Sequence, residues 1–261
     1  MSESVFALGE LENQFWQLAF LMIRVGAALV VAPFFSAAAV PALVRVSVAG
    51  AVAIFILHWV PVVGLPSDLF SVPGMIVVVG EILVGLCLGF VLQIAFAAPL
   101  IAAEMISGAM GMSMAITGDP ASGGQTTAYG QFFSVVLVLI FLTLGAHVQW
   151  LGLVIESFRA FPPGETWLGA DRMAEVAAFG GVMFETAVRI ALPVTVILFL
   201  VQVITGILSR SAPSLNLFSL GLPAGVLAGI CALLLSTPLI YQHLSDLIAT
   251  ALLKTESLVI R

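Results

Sequence analysis

Long stretches without a charged side chain are the feature that most constrains this sequence. Six of them reach 20 residues or more, at 25–44, 46–67, 82–103, 120–155, 190–209 and 211–245. A helix that crosses the hydrocarbon core of a bilayer needs about 20 apolar residues. Since only 8% of the 261 residues are charged and 61% are hydrophobic, the chain also lacks the polar surface of a soluble domain. We therefore expect an integral membrane protein.

Helix-breaking residues divide these stretches into about six hydrophobic segments. Their approximate bounds are 13–35, 40–63, 72–103, 128–156, 176–209 and 216–253. The segments should be helical, because lipid offers no partner to an unpaired backbone group and because the runs lack the alternation of barrel strands. The sequence predicts an all-α membrane protein that forms a single domain over residues 1–261.

Prolines lie inside the last two segments. Pro193 falls in the fifth segment, and Pro223 and Pro238 fall in the sixth. Proline lacks the amide hydrogen and clashes with the preceding turn, so we expect kinks or breaks at these positions. Since segments three to six are also longer than one crossing requires, we expect several of them to be kinked or broken into hairpins.

Aromatic side chains stand near the ends of several segments. Trp16 and Tyr129 open two of them, and Trp59, Trp150 and Tyr241 lie near the ends of others. Tryptophan and tyrosine are enriched at both membrane–water interfaces. The sequence therefore places these five side chains in an interfacial belt.

Two groups of glycines have GxxxG spacing. Gly85 and Gly89 lie in the third segment, and Gly221, Gly225 and Gly229 lie in the sixth. This spacing lets helix backbones approach closely, where dispersion holds the pair together. The alternative is simple tolerance of glycine in membrane helices, since a chain with 24 glycines contains some such spacings by chance.

Charged side chains also occur within or at the end of apolar segments, at Arg24, Glu81, Glu104, Glu185 and Arg189. Each costs at least about 2.5 kcal/mol at the bilayer centre unless it is paired or hydrated. Glu185 and Arg189 are four residues apart and could form a local ion pair. The functional alternative is that such charges face protein partners or a water-filled conduit, as they also would in an ion transporter.

Motifs for catalysis, metal binding or nucleotide binding are absent from the sequence. His58, His147 and His243 are far apart and have no carboxylate or cysteine at ligand spacing, and Cys87 and Cys231 lie within apolar runs. The net charge of −6 provides no basic patch for nucleic acid. We predict a protein that is not an enzyme, carries no cofactor or metal and binds no nucleic acid.

The stretch 105–127 has the most unusual composition. Four of the nine methionines fall within 105–114, and glycines and the pair Asp119-Pro120 follow. Because these residues disfavour a continuous helix, we expect a loop at membrane depth, which is tolerated only when it is buried in protein or lines a cavity. Flexible methionines could seal a conduit and yield to a larger passenger. The alternative is a plain glycine-rich connector.

Three motifs resemble the FliR family of the flagellar export apparatus, whose relatives serve injectisome type III secretion. The first, within 24–45, is an arginine, an Ala-Pro-Phe-Phe step, a second proline and a second arginine. The second, within 103–122, is Ala-Glu, then Gly-Met-Ser, then Asp-Pro-Ala-Ser. The third and most specific, within 208–223, is LSRSAPSLNLF followed by Gly-Leu-Pro. Length and segment order agree as well, and the departure at Ser214, where glutamine is frequent, is mild.

The resemblance implies a subunit of a closed helical export gate, assembled with FliP and FliQ and in contact with FlhB and FlhA. Exported flagellar proteins would be transient substrates, and the location would be the bacterial inner membrane within the flagellar basal body, in contact with membrane lipid. The stretch 105–127 is similar to the plug that closes the channel. Its implied plug residues are Met105, Gly108, Met110, Gly111, Met112, Met114, Asp119 and Pro120.

A second set of residues would have a structural or subunit-contact role in such a gate. The set consists of Arg24, Pro33, Pro41, Arg45, Glu81, Glu104, Arg210, Pro213, Asn216, Phe218, Gly221 and Pro223. Buried polar side chains such as Arg24, Glu81 and Gln93 would then find their partners in other chains instead of within this one.

Two alternative functions stay open at this point. One is an injectisome export-gate homologue. The other is a secondary transporter of a small solute, which would also use broken helices and charges near the membrane midplane. A transporter predicts an internal repeat, and only a loose echo exists between the arginine and prolines of 24–41 and those of 210–223.

Overall fold

The described part of the chain is almost entirely helical. The computed structural model describes residues 2–36, 40–59, 71–111, 127–163, 169–211 and 217–260, and no strand occurs among them. The helices are α1 Ser2–Val31, α2 Pro33–Ser36, α3 Ala42–Trp59, α4 Val72–Ala109, α5 Ala128–Thr143, α6 Ala146–Ala160, α7 Ala170–Ser211 and α8 Leu217–Val259. The predicted all-α fold class is confirmed.

Five helical stretches are long and apolar enough to cross a membrane. They are Gln14–Val31, Ala42–Trp59, Val72–Ala109, Ala170–Ser211 and Gly221–Val259. The number rises to six if the bent pair of α5 and α6 counts as one span. The protein is therefore a multi-pass membrane protein, as the uncharged runs predict.

The break in the backbone does not lie where the prolines predict it. Helix α7 continues through Pro193, and α8 continues through Pro223 and Pro238. The fourth segment instead bends between α5 and α6 at Gly145, whose φ of 66° is left-handed. A proline deprives a helix of one hydrogen bond, and membrane helices tolerate that loss. A residue with positive φ cannot continue a right-handed helix at all.

The described residues form two compact units, and each of α4, α7 and α8 contributes to both. Unit 1 is Met1–Ile94, Gly145–Phe179 and Thr250–Arg261, and unit 2 is Ala95–Leu144 and Gly180–Ala249. That these units act together as one gate domain stays a prediction.

Unit 1 is organised around α1, which packs against α3. Phe20, Val25 and Leu29 of α1 are fully buried. Trp150 is also buried, and its indole Nε1 donates a hydrogen bond of 3.1 Å to the carbonyl oxygen of Leu88. For this tryptophan the predicted interfacial position is wrong, because its side chain lies in the packed interior of unit 1. It is also not at a helix end, since α6 continues to Ala160.

Unit 2 has an aromatic centre between α4 and α5. The rings of Phe96 and Phe141 meet edge to face with centroids 5.4 Å apart. Small side chains of α4 such as Ala98 and Ala102 are fully buried. This packing fixes the second half of α4, which leads to the unusual stretch 105–127.

Candidate functional site

Arg24 and Glu81 form a fully buried ion pair in unit 1. The guanidinium Nε and Nη2 donate to Glu81 Oε2 and Oε1 at 2.6 and 2.9 Å. Nη1 donates to the carbonyl oxygen and the hydroxyl of Ser157, and Nη2 also donates to the carbonyl oxygen of Phe161 at 2.8 Å. The ring of Phe158 lies 4.0 Å from the guanidinium carbon. All five donors of the guanidinium are therefore engaged.

This network contradicts the expectation that other chains satisfy Arg24 and Glu81. Both side chains are completely buried within the chain itself. A bidentate pair with further hydrogen bonds offsets the large desolvation cost of two buried charges. The pair joins α1, α4 and the end of α6. Gln93, by contrast, is exposed.

The first GxxxG pair lies directly beside this network. A Cβ atom on Gly85 would overlap the carbonyl oxygen of Arg24, and one on Gly89 would lie 2.5 Å from the carbonyl oxygen of Ala28. The backbones of α1 and α4 therefore touch at these glycines, which confirms the interpretation as a close helix contact.

The end of α4 lies within the stretch predicted to be a loop. Met105 and Gly108 are still helical, because α4 extends to Ala109. The predicted start of the loop is therefore wrong by about one helical turn. Gly111, with φ of 79°, ends the helix, and its amide donates to the carbonyl oxygen of Gly108 at 3.0 Å. A left-handed glycine just past the last turn is a common helix stop.

Met110, at this helix end, is 2% exposed and fills a notch on α8. A Cβ atom on Gly229 would lie 2.9 Å from its Cγ and 3.0 Å from its Sδ, and it would overlap its methyl group. A Cβ on Gly225 would lie 3.4 Å from its carbonyl oxygen. Glycines of the second group therefore contact the side chain and the backbone of Met110. Met110 lies just before the stretch 112–126, which is outside the described residues.

A hydrogen bond from α7 reaches the same helix end. Gln202 Nε2 donates to the carbonyl oxygen of Ala109 at 2.6 Å. A cavity of about 310 Å³ adjoins this contact and is lined by Met110, Gln202, Thr205 and Gly225, among others. Sequence reasoning missed Gln202, although a lone amide in an apolar run such as 190–209 is the available signal.

The far end of the stretch 112–126 is tied to α4 as well. Glu104 Oε1 accepts hydrogen bonds from the amide and the hydroxyl of Thr127, at 3.3 and 3.1 Å. The Thr127 hydroxyl accepts in turn from the amide of Gly130 and so caps the N-terminus of α5. The residues that precede the stretch are thus fixed by α7 and α8, and the residue that follows it is bonded to α4.

Comparison with known proteins identifies the family. A family model described as "Bacterial export proteins, family 1" matches residues 15–251. The chain belongs to this family. It is 31% identical to the flagellar biosynthetic protein FliR of Escherichia coli K12, over 89% of this chain and 87% of the relative. For FliR of Bacillus subtilis the identity is 32% over 85% and 87%, and for FliR of Pectobacterium carotovorum it is 29% over 90% and 92%.

Membership confirms the resemblance to the FliR family, which rests on the three sequence motifs. The bacterial export family accounts for long apolar helices in a chain without catalytic motifs. The protein is accordingly a multi-pass membrane component of flagellar protein export.

The remaining sequence-predicted residues of this export protein lie at helix ends. Pro33 begins α2, and Pro41 immediately precedes α3. Arg45 Nη2 donates to the carbonyl oxygen of Val40 at 3.0 Å.

Arg210 lies in the last turn of α7 and is exposed. Within α8, Phe218 occupies the first turn and Gly221 and Pro223 follow. Outside the described residues lie Met112, Met114, Asp119, Pro120, Pro213 and Asn216.

The predicted local ion pair on α7 is confirmed. Arg189 Nη2 and Glu185 Oε1 are 2.6 Å apart, and both side chains are more than half exposed. Mutual pairing lowers the cost of placing these charges on an apolar helix. Across the described residues, no group of three or more histidine, cysteine, aspartate or glutamate side chains could hold a metal ion.

Proposed function

We propose that this export protein is the FliR-type subunit of a flagellar type III export gate, and that its stretch 112–126 is the plug of the polypeptide channel. The observation that carries the proposal is the anchoring of the residues at both ends of this stretch, to α8 at one end and to α4 at the other. Met110 is buried in the glycine notch at one end, and Thr127 is bonded to Glu104 at the other. A plug must be fixed at its root if it is to close the same opening each time.

Exposed apolar surface supports the proposed assembly with FliP and FliQ, and with FlhB and FlhA. Only 17% of the residues of α3, and 22% of those in the most apolar 18-residue stretch of α7, are buried within the chain. Leu43 of α3 is 76% exposed and Phe199 of α7 is 63% exposed. Such helices need lipid or other subunits around them. The gate would lie in the inner membrane within the basal body, with exported flagellar proteins as its passing substrates.

Deleting residues 112–126 tests the plug. The deletion leaves Met110, Glu104 and Thr127 in place, with a short glycine linker between Gly111 and Thr127. Membrane vesicles that contain the assembled complex should conduct small ions well above the level of vesicles with the wild-type complex, because nothing would fill the channel.

The matched control exchanges 112–126 for a glycine–serine linker of equal length, which keeps the connection and removes the methionines and the Asp-Pro pair. Conductance at wild-type level in the deletion variant, with the complex shown to be assembled, would contradict the proposal. Leakage in the deletion but not in the linker variant would indicate that length alone closes the channel.

A further inference from the structure

The carbonyl oxygen of Ala109 is a group that α4 cannot satisfy by itself. The last four carbonyls of a helix have no partner within that helix. Ala109 is the last residue of α4, and its carbonyl oxygen accepts a hydrogen bond of 2.6 Å from Gln202 Nε2 of α7. Ninety-three residues separate the two groups in sequence, so the bond is a tertiary tie within unit 2.

The surroundings of Gln202 indicate why an amide stands there. Its neighbours on α7, including Leu200, Val203 and Ile204, are exposed apolar side chains. A polar side chain on such a surface is unfavourable unless it bonds to another helix. The amide donor and the helix-end carbonyl therefore satisfy each other, at a position where a leucine would fit the pattern of α7 better.

Space for movement exists at the same place. The cavity of about 310 Å³ lies against Ala109, Met110 and Gly111 on one side and against Gln202 and Thr205 on the other. The cavity leaves room beside the end of α4 that no side chain fills. Met110 and Gln202 thus hold the start of the stretch 112–126 by different means, one by packing and the other by a directional bond.

We infer that Gln202 is a positioning residue of the gate, which keeps the end of α4, and through it the start of the plug, in the closed position. The inference rests on the proposed function. Gln202 itself does not enter the channel or touch a substrate in this account. It acts through the Ala109 carbonyl.

The test compares Gln202→Met with Thr205→Val in the assembled complex. Methionine keeps the length of glutamine and removes the donor. Thr205 lines the same cavity, but its hydroxyl bonds only to carbonyls of its own helix, those of Val201 and Gln202. Two quantities are measured for each variant: hydrogen–deuterium exchange of the amides at 108–111, and ion conductance of vesicles relative to the variant without residues 112–126.

We expect Gln202→Met to raise amide exchange at 108–111 by about two- to tenfold, the range for loss of one hydrogen bond, and to raise ion conductance toward that of the deletion variant. Thr205→Val should change neither. Unchanged exchange in Gln202→Met would overturn the inference. So would raised exchange with wild-type conductance, if the deletion variant leaks. If the deletion variant does not leak, the plug proposal fails instead, and raised exchange still supports the tie between Gln202 and α4.

Discussion

At the scale of single residues, the two charges buried in unit 1 define the most specific contact. Arg24 uses all five of its donors, and Glu81 accepts two of them. On α7 an ion pair of equal length, Glu185 with Arg189, lies on the exposed surface. The two pairs differ chiefly in solvent exposure, so their contributions to stability should differ strongly.

Removing one buried charge should be far more damaging than removing one exposed charge. Glu81→Leu should lower the free energy of unfolding by about 3–5 kcal/mol, because it leaves Arg24 charged and unpaired in the interior. Glu185→Leu is the control and should cost less than about 1 kcal/mol. The measurement is unfolding of the detergent-solubilised complex by a denaturing detergent. Equal losses for the two variants would contradict the structural role of the buried pair.

Replacing both buried partners separates charge burial from packing. The double variant Arg24→Leu with Glu81→Leu should be more stable than either single variant, because no unpaired charge remains. If the double variant is less stable than Glu81→Leu, the network contributes mainly through the hydrogen bonds to Ser157 and Phe161.

The methionine notch gives a second prediction at this scale. Gly229→Ala should drive the Met110 side chain from its site at a cost of about 1–3 kcal/mol, because Cγ and Sδ already lie near 3 Å from the position of a Cβ atom. Ion conductance of vesicles with the assembled complex should rise. Gly206→Ala is the control, since a Cβ at Gly206 meets nothing within 4 Å.

The outcome depends on which side chain causes the change. The second variant, Met110→Ala combined with Gly229→Ala, should remove the overlap between the two side chains. Gly229→Ala should therefore not destabilise the contact between α8 and the end of α4 when residue 110 is already alanine. An equal rise in conductance for Gly206→Ala and Gly229→Ala would show that the notch has no special part in closing the channel.

At the scale of helices, the contact of α1 with α4 depends on the absence of side chains. Gly85→Ala should destabilise unit 1 by about 1–3 kcal/mol, because a methyl group would overlap the Arg24 carbonyl oxygen and the Cβ of Ala27. Gly26→Ala on α1 is the matched control, since it meets nothing within 4 Å. Thermal unfolding of the solubilised complex measures both, and equal effects would contradict the close contact.

Helix positions follow from the sequence more reliably than helix interruptions do. The predicted hydrophobic segments locate α1, α3, α4, α7 and α8, because lipid permits only helices there. Their bounds agree less well, since α1 already begins at Ser2 and not near residue 13, and α4 and α8 end about six residues beyond their predicted ends. The prolines predict kinks or breaks, and α7 and α8 continue through them without a break. The bend at Gly145 depends on a backbone conformation that no local pattern in an apolar run reveals.

At the candidate site, the sequence marks unusual residues but does not show which distant residues they contact. Glu81 is recognisable as unusual within an apolar segment, but its partner Arg24 lies 57 residues away. Met110 stands out by composition, whereas the notch at Gly229 that receives it becomes apparent only once α4 and α8 are packed. Gln202 is a lone amide in an apolar run, but its partner, the carbonyl oxygen of Ala109, is 93 residues away and follows only from the packing of α4 with α7.

At the scale of the whole molecule, the question is what surrounds the exposed apolar helices. The buried fractions of α3 and α7 are small, although the ion pair of Arg24 and Glu81 is fully buried. In the proposed gate this apolar surface is largely an interior shared with other subunits, so six separate membrane spans would overstate what the bilayer alone covers. In a solute transporter that works without other subunits, lipid would instead cover the same apolar surface.

Purification with and without FliP and FliQ tests this central claim most directly. We expect the chain to be recovered in one stable complex when it is co-expressed with both subunits, and to aggregate or be degraded when it is expressed alone. Size-exclusion chromatography with light scattering measures the outcome. A stable, monodisperse monomer or homo-oligomer from the chain alone, with no complex formed on co-expression, would contradict the account.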